Sequence, residues 1–521
     1  MERVTGEWWR RVDLLPWAVA ACALVIYGAR GLQALLQRDA GLYLYAGQLV
    51  ASGDAPYVGV LNRAGPIAHL LPALGVELGR LLGTGDVVGV KILYLVLVSA
   101  TPALVYLIGR DVFGSRLAGA TAAAALLSVH VLAVGATNGP EAKLPVMLAE
   151  LVALLLLVRR RWVWAGVVTA IATLTWQPVL FLLGAAVAVL ALTSPEPWVS
   201  RARNLLRFAV GGLVTLAVTI AAFWAAGALS EFVEGFWTVN ASHTQQTGLL
   251  AKPTKILGFL QTGLGWTLYP MIIGTALMVL LGAVAIGSRR TEPRAPDRMA
   301  LGAGTAAFLI WCCIAFNRGP DGLPLYPLAA LGLGGAVGAL AHRVRGARSP
   351  LPRRVLIATV ACWVSVCLAL TLVHTVTHRT DDIEYQQQLT DVVFDNLPDD
   401  VTVFTYEATP PMVLSRSESI SRYVLFDHGM LSYIGDQWPG GVDGYVHWLM
   451  DESPDVVFIH TRNPWTWLLP LLSNYYRVSG GPHLGGDLEW RAFVRHGTDP
   501  AVVKKIKKEY AAARRAREAA G

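Results

Sequence analysis

Arg38 and Asp39 follow the first long apolar run of the chain, and a second acid, Glu141, stands two residues before Lys143. A carboxylate at the edge of an apolar segment sits in a semi-dry setting. There its pKa can be moved to suit abstraction of a proton from a hydroxyl. Cations placed beside such a base can hold an anionic leaving group, arginine bidentately and lysine as a point charge. Arg63, Lys143, Lys252, Lys255 and Arg318 are the candidates on the same face, and His243, Gln245 and Gln246 can hydrogen-bond hydroxyl groups. Each has a plainer role as well. Asp39 can decorate an interface, Glu141 can complement the dipole at a helix start, and each lone cation can anchor lipid headgroups. Two carboxylates do not establish a metal site, because hard cations take six or more oxygen ligands.

The elements that carry these residues are membrane helices. Hydrophobic residues make up 54% of the 521 positions and charged residues 15%, with mean hydropathy +0.48. A soluble chain carries about 25% charged residues. Apolar runs of roughly 20 residues, the length that crosses ~30 Å of hydrocarbon, recur along the chain. About eleven spans are expected, over 15–35, 86–109, 117–135, 142–158, 162–176, 178–193, 205–227, 257–287, 299–316, 322–341 and 354–376. The first run is too long for a signal peptide and no small-residue cleavage site follows it. With the N-terminus cytoplasmic, twenty basic residues fall on inner loops and nine on outer ones, as the positive-inside rule requires. The odd count then puts the C-terminal domain outside the cytoplasm. Topology therefore accounts for most of the +7 charge, and no nucleic-acid partner is needed. The five cysteines all lie in apolar runs and read as small hydrophobes.

Two outer loops are long. The first, 36–85, carries apolar residues at helical spacing and reads as interfacial helices on the transmembrane module of residues 1–376. The second, 227–254, is polar and aromatic. Long loops on one face house function. Residues 377–500 alternate β-type runs (VTVFTY, VVFIH, EWRAFVRH) with helical ones and predict a small extracytoplasmic α/β domain. The basic segment 501–521 reads as a helical tail with a solvated or fraying end. Glu150, mid-span, is expected to pair with His130. Trp162, Trp164, Trp176, Trp224 and Trp266 read as interface-belt aromatics.

Several stretches together resemble the GT-C integral-membrane glycosyltransferases, among them protein O-mannosyltransferases, aminoarabinose transferases and polyprenyl-phosphomannose mannosyltransferases. They are Arg38-Asp39 with Tyr43, Gly47, Gly53, Pro56-Tyr57 and Pro66; Asn138-Gly139-Pro140-Glu141; Ala165-Gly166 through Thr175-Trp176-Gln177-Pro178; and Asn317-Arg318 through Leu325-Tyr326-Pro327-Leu328. Asp400–Phe404, Val413–Arg416, Arg422-Tyr423 and Pro454–Val457 resemble the outer domain of several members. The usual acidic doublet is Arg-Asp here.

The resemblance implies a multi-pass α-helical protein of the plasma membrane with an outer α/β domain. It implies transfer of a sugar, mannose or another monosaccharide, from a polyprenyl-phosphate donor to a glycan, lipid or protein acceptor, with membrane lipids as surroundings. Asp39 and Glu141 take the catalytic places in it, the second orienting the acceptor or sharing a divalent cation with the first. Arg38, Tyr57, Arg63, Lys143, His243, Lys252, Lys255 and Arg318 would bind substrate. The rival readings are an aminosugar transferase acting on an outer-leaflet lipid and a non-enzymatic lipid or glycan transporter.

Overall fold

A computed structural model describes residues 13–243, 252–317, 319–345, 351–380, 382–427, 429–460, 465–478 and 490–520. The membrane part is helical: α1 (Leu15–Gly28), α2 (Arg38–Ser52), α3 (Ile67–Leu82), α4 (Asp86–Phe113), α5 (Arg116–Leu127), α6 (His130–Asn138), α7 (Lys143–Val158), α8 (Trp162–Thr173), α9 (Val179–Thr193) and α10 (Trp198–Ala225). Helices Lys252–Leu264, Leu268–Ser288, Ala295–Ala315, Leu325–Arg345 and Leu351–Thr377 complete it.

Each of the eleven expected apolar segments carries helix, but the first ends at Gly28, the third is broken into α5 and α6, and the helices are unequal in length. Among the described residues six helices are long and apolar enough to cross a membrane, or seven if α5 and α6 are one span bent by 60°. The helices α1, α7, α8 and α9 run 14, 16, 12 and 15 residues, short of the ~20 that cross hydrocarbon unaided. Ion pairs gather at one end of the bundle, where Arg110 meets Asp13, Arg159 meets Asp111 and Arg160 meets Asp297. That end is the one the charge count assigns to the inner face.

The first long loop folds as two helices. Most of α2 is buried, and it starts where Asp39 places a negative charge in the first turn. It stops at Gly53, whose φ of 120° suits glycine. At Gly47 a Cβ would stand 2.6 Å from Pro72, so α2 and α3 pack backbone to backbone there. By contrast α3 exposes Leu74, Leu81 and Leu82, the apolar stripe of a helix at the lipid boundary.

The C-terminal region carries a mixed four-stranded sheet, order β1-β2-β4-β3, made of Val403–Tyr406, Val456–His460, Trp490–Arg495 and Tyr475–Arg477 in that spatial order. Strands β1 and β2 are parallel, with Val403 opposite Val456, and the other two pairings are antiparallel. Every residue of β2 is buried, as expected of a strand covered on both faces. Three strands match the expected runs. The three-residue β3 is too short to leave a pattern. The basic segment is a helix, Pro500–Ala520, and it does not hang free: Val503, Ile506, Tyr510 and Ala513 are buried. Tyr510 and Ala513 pack with Leu389 of helix Asp382–Phe394.

Two expectations about single residues change. Glu150 is fully buried, yet it makes no hydrogen bond or ion pair with His130 among the described residues. The His130 ring lies 4.6 Å from that of His374 instead, on the last span rather than on α7. Of the five tryptophans, Trp164, Trp224 and Trp266 are exposed as a belt requires, whereas Trp162 is buried and Trp176 lines a cavity.

Candidate active site

A cavity of about 310 Å³ opens where the first long loop, the helix ends and the C-terminal domain converge. Helix α2 supplies Arg38, Asp39 and Tyr43; the following loop supplies Asn62 and Arg63; and Lys143 comes from the start of α7. Trp176 and Gln177 enter between α8 and α9, Asn240 from the second long loop, and Trp311 from helix Ala295–Ala315. Asp321, on a one-turn 3₁₀ segment, and Asp427, from the C-terminal domain, close the lining.

Local folding fixes each contributor. The loop bearing Arg63 is held by two backbone bonds to the end of α8, Gly65 N–H to Thr175 and Ile67 N–H to Leu174. Asn240 accepts a bond from Arg63 Nε at 3.3 Å and donates to the Arg63 carbonyl at 3.0 Å, which joins the two long loops. Near α7, Arg30 donates to Thr137 and Asn138 at 2.8 and 2.6 Å. Gly139 follows with a φ of 124°, a conformation other residues rarely adopt. The turn delivers Glu141 beside Lys143.

Charge is arranged in two groups. Lys143 Nζ stands 3.1 Å from Glu141 and 4.0 Å from Asp321, and 5.9 Å from the Trp176 ring centre. Arg38 sits among three carboxylates: Asp39 at 2.8 Å, Glu407 at 2.8 Å and Asp427 at 2.7 Å. Burial works to lower the pKa of Arg38, but Asp39, Asp427 and Glu407 outweigh it and hold the guanidinium firmly charged. At Arg63 burial wins, pulling the pKa below its ordinary value against Asp427 and Asp321. The Glu407 carboxyl is pushed up by burial and then by Asp427, with Arg38 opposing. Asp39 keeps 33% of its side chain exposed against 8% for Arg38, so the base candidate is the member that faces the open space.

The expected residues therefore separate. Asp39, Arg38, Arg63 and Lys143 line one cavity. Glu141 does not line it; it lies one residue before the N-cap Ala142 and acts on Lys143, accepting its backbone N–H at 3.4 Å as well. Tyr57 is buried elsewhere, its hydroxyl donating to the Ala64 carbonyl at 2.7 Å and its ring 4.9 Å from that of His69. It braces the Arg63 loop from beneath. His243 hydrogen-bonds Asp436 at 2.9 Å and sits against Tyr433, away from the cavity. Lys252 and Lys255 lie at the start of helix Lys252–Leu264, while Arg318, Gln245 and Gln246 fall outside the described residues. Asp321, Asn240, Glu407 and Asp427 are the residues that sequence reasoning did not single out. For Glu407 a signal exists: an acid directly after an apolar strand, at the carboxyl end of β1.

Comparison with solved structures places this architecture in a known class. ArnT from Cupriavidus metallidurans superposes with a TM-score of 0.63 in the apo state, at 16% identity, over 92% of this chain and 98% of that one. Its undecaprenyl phosphate complex gives 0.63 at 15% identity over 94% and 98%. The oligosaccharyltransferase of Archaeoglobus fulgidus gives 0.58 at 13% identity over 91% and 73%. The chain has the fold of the GT-C glycosyltransferases. No protein-family profile and no curated protein sequence matches it.

A structure of the archaeal enzyme contains zinc and sulfate; in this chain the acids at the cavity already have cationic partners. Asp39 is already engaged by Arg38, and Glu141 by Lys143. Among the described residues no three His, Cys, Asp or Glu side chains converge as metal ligands. Fixed positive charges within 3.1 Å of both acids oppose a divalent ion, so this donor set does not fit one.

Proposed function

We propose that the chain is an inverting glycosyltransferase that moves a monosaccharide, mannose or another sugar, from a polyprenyl-phosphate donor to a hydroxyl of a glycan, lipid or protein acceptor at the outer membrane face. The observation that carries this reading is the cavity itself: a partly exposed carboxylate, Asp39, shares about 310 Å³ with two cations, Arg63 and Lys143.

A sugar on a lipid phosphate already has a good leaving group. What the reaction lacks is a base for the acceptor and charge to retain the phosphate. Asp39 takes the acceptor hydroxyl proton, and that oxygen forms a bond to the anomeric carbon. The bond from this carbon to the phosphate oxygen breaks with inversion, and the electron pair leaves on the phosphate. Arg63 and Lys143 hold the departing anion, with Glu141 and Asp321 fixing the ammonium group of Lys143. A single displacement needs one base; a double displacement needs a nucleophile as well.

The apolar tail also has a path. Beside the lining residues Trp311 and Ala315, the same helix exposes Ile310 and Ile314, and α9 exposes Leu180 and Phe181 next to Pro178. A prenyl chain can thus remain in hydrocarbon, which matters at ~0.8 kcal/mol per CH₂. In this reading the eleven expected spans run alternately, and the cavity and the C-terminal domain face outward.

The test is reconstitution of purified protein in vesicles with labelled polyprenyl-phosphate sugars, aminosugar donors included. Labelled acceptor and free polyprenyl phosphate should appear together, and Asp39→Asn should lower the rate by ~10²–10⁴-fold. A labelled donor that crosses the bilayer with no transfer would mark a transporter and overturn the proposal.

A further inference from the structure

Arg38 has five N–H donors, and four have partners. Nε and Nη2 both approach Asp39 Oδ1, at 2.9 and 2.8 Å. Nη1 donates to Glu407 Oε2 at 2.8 Å and to Asp427 Oδ2 at 2.7 Å. Among the described residues one Nη2 hydrogen is left over. A guanidinium spent in this way makes a poor bidentate phosphate ligand but a rigid bracket for its neighbour.

The bracket is anchored on the C-terminal domain. Glu407 follows β1 directly, its side chain has no exposure, and its backbone sits at a φ of +56°, where a non-glycine residue is strained. Its second oxygen accepts the Phe426 N–H at 3.0 Å, and its own N–H donates to Val424 at 2.9 Å. These bonds lock Glu407 to the segment that carries Asp427. The domain also touches α2 at Gly41, where a Cβ would stand 2.9 Å from Pro410. Thr409 adds a 3.5 Å bond to the Arg38 carbonyl. Backbone strain that persists in a buried acid is held there by its surroundings.

We infer that Glu407 and Asp427 are positioning residues that orient Asp39 through Arg38, so that the extracytoplasmic domain completes the active site of the membrane module. This rests on the proposed transferase reading. Arg38 accordingly belongs to the base and not to the donor phosphate, which is left to Arg63 and Lys143. The charges facing Asp39 are Arg38 on its own helix, Glu407 and Asp427 from the domain, Arg63 from the loop, Lys143 with Glu141 at α7, and Asp321 on the 3₁₀ turn. Removal of one negative charge from the bracket leaves Arg38 more strongly on Asp39, and the base becomes weaker.

The experiment compares Glu407→Gln, Asp427→Asn and Glu407→Asp in the full-length reconstituted protein, by two readouts. In transfer kinetics, the two neutral variants should lose about tenfold in kcat with little change in donor KM, and the acid limb of the rate profile should move to lower pH by about half a unit or more. Glu407→Asp, which keeps the charge, should return the limb to its wild-type position. The second readout needs no turnover: carbodiimide labelling of Asp39, located by peptide mapping, reports its protonation against pH. Its midpoint should shift downward in the neutral variants. Unchanged midpoints in both neutral variants would overturn the inference, as would lower kcat with the acid limb fixed. If the wild type transfers no sugar from any donor, the labelling midpoints still decide the inference, and only the proposed function falls.

Discussion

Arg63 and Asn240 lie 177 positions apart and hold each other twice, once through side chains and once through the Arg63 carbonyl. The pair fastens the two long loops over the cavity, and it holds a half-buried cation in a hydrogen-bonded frame. Asn240→Leu should therefore act like a mild form of Arg63→Met. Donor KM should rise several-fold for the first and ~10-fold or more for the second, on the scale of a lost charged hydrogen bond. Donor-saturation curves check this, and an unchanged KM in both variants would remove Arg63 from the phosphate site.

In the proposed function Lys143 carries the second half of the anion site. Lys143→Met deletes that charge and also leaves Glu141 beside it without its cation. The loss in kcat/KM should reach ~10²-fold or more, the scale on which removal of one preorganised group that stabilises a developing anion is felt. Glu141→Gln should cost less than Lys143→Met if Glu141 serves to hold the lysine. The order of the two losses, measured with one donor and one acceptor, decides which residue meets the substrate.

The acids near the cavity are engaged by arginine and lysine and do not fit a divalent cation. Transfer should accordingly continue in excess EDTA at near the untreated rate. A fall on chelation that magnesium, manganese or zinc reverses would assign Asp39 or Glu141 to metal binding after all.

His69, buried on α3 against Tyr57, bears on stability at low pH. Burial pushes its pKa down to about 3, so the folded protein keeps it neutral while the unfolded chain protonates near 6.5. Its contribution is fully present above pH 6.5 and is lost as pH falls from there toward 3, by up to ~1.4 kcal/mol per unit. Thermal unfolding at pH 7.5 and pH 5.0 should show a smaller drop in Tm for His69→Leu than for the wild type. Equal drops would mean that the buried imidazole is not the group that titrates.

The membrane architecture was legible because hydrocarbon imposes a length and a polarity on each helix, and Arg38-Asp39, Arg63 and Lys143 stood out as charges at apolar ends. Asp427 did not, and Glu407 shows only as an acid after an apolar strand; both reach the site through the docking of β1 and its following loop on α2, a contact across more than 350 residues. Nothing in local spacing encodes that. Asp321 was hidden differently, as an acid in a Gly-Pro turn that reads as ordinary loop. Tyr57 stands out in the sequence, and the structure puts its hydroxyl on the Ala64 carbonyl, beneath the Arg63 loop and not in the cavity lining. The pairing of Glu150 with His130 failed because adjacency in sequence order does not fix which helices meet.

The shortness of α8 and α9 has a consequence for the lipid around them. At ~1.5 Å per residue they span roughly 18 and 22 Å, against ~30 Å of hydrocarbon. Such a mismatch is met by local thinning of the bilayer, at a fraction of a kcal/mol per Å. The dimple would form beside Trp176, Gln177 and Pro178, the junction of these two helices and one wall of the cavity. If the proposed function holds, a lipid-linked phosphate in that leaflet would there sink toward Lys143 without leaving its headgroup layer, and bilayer thickness itself would tune the rate of transfer.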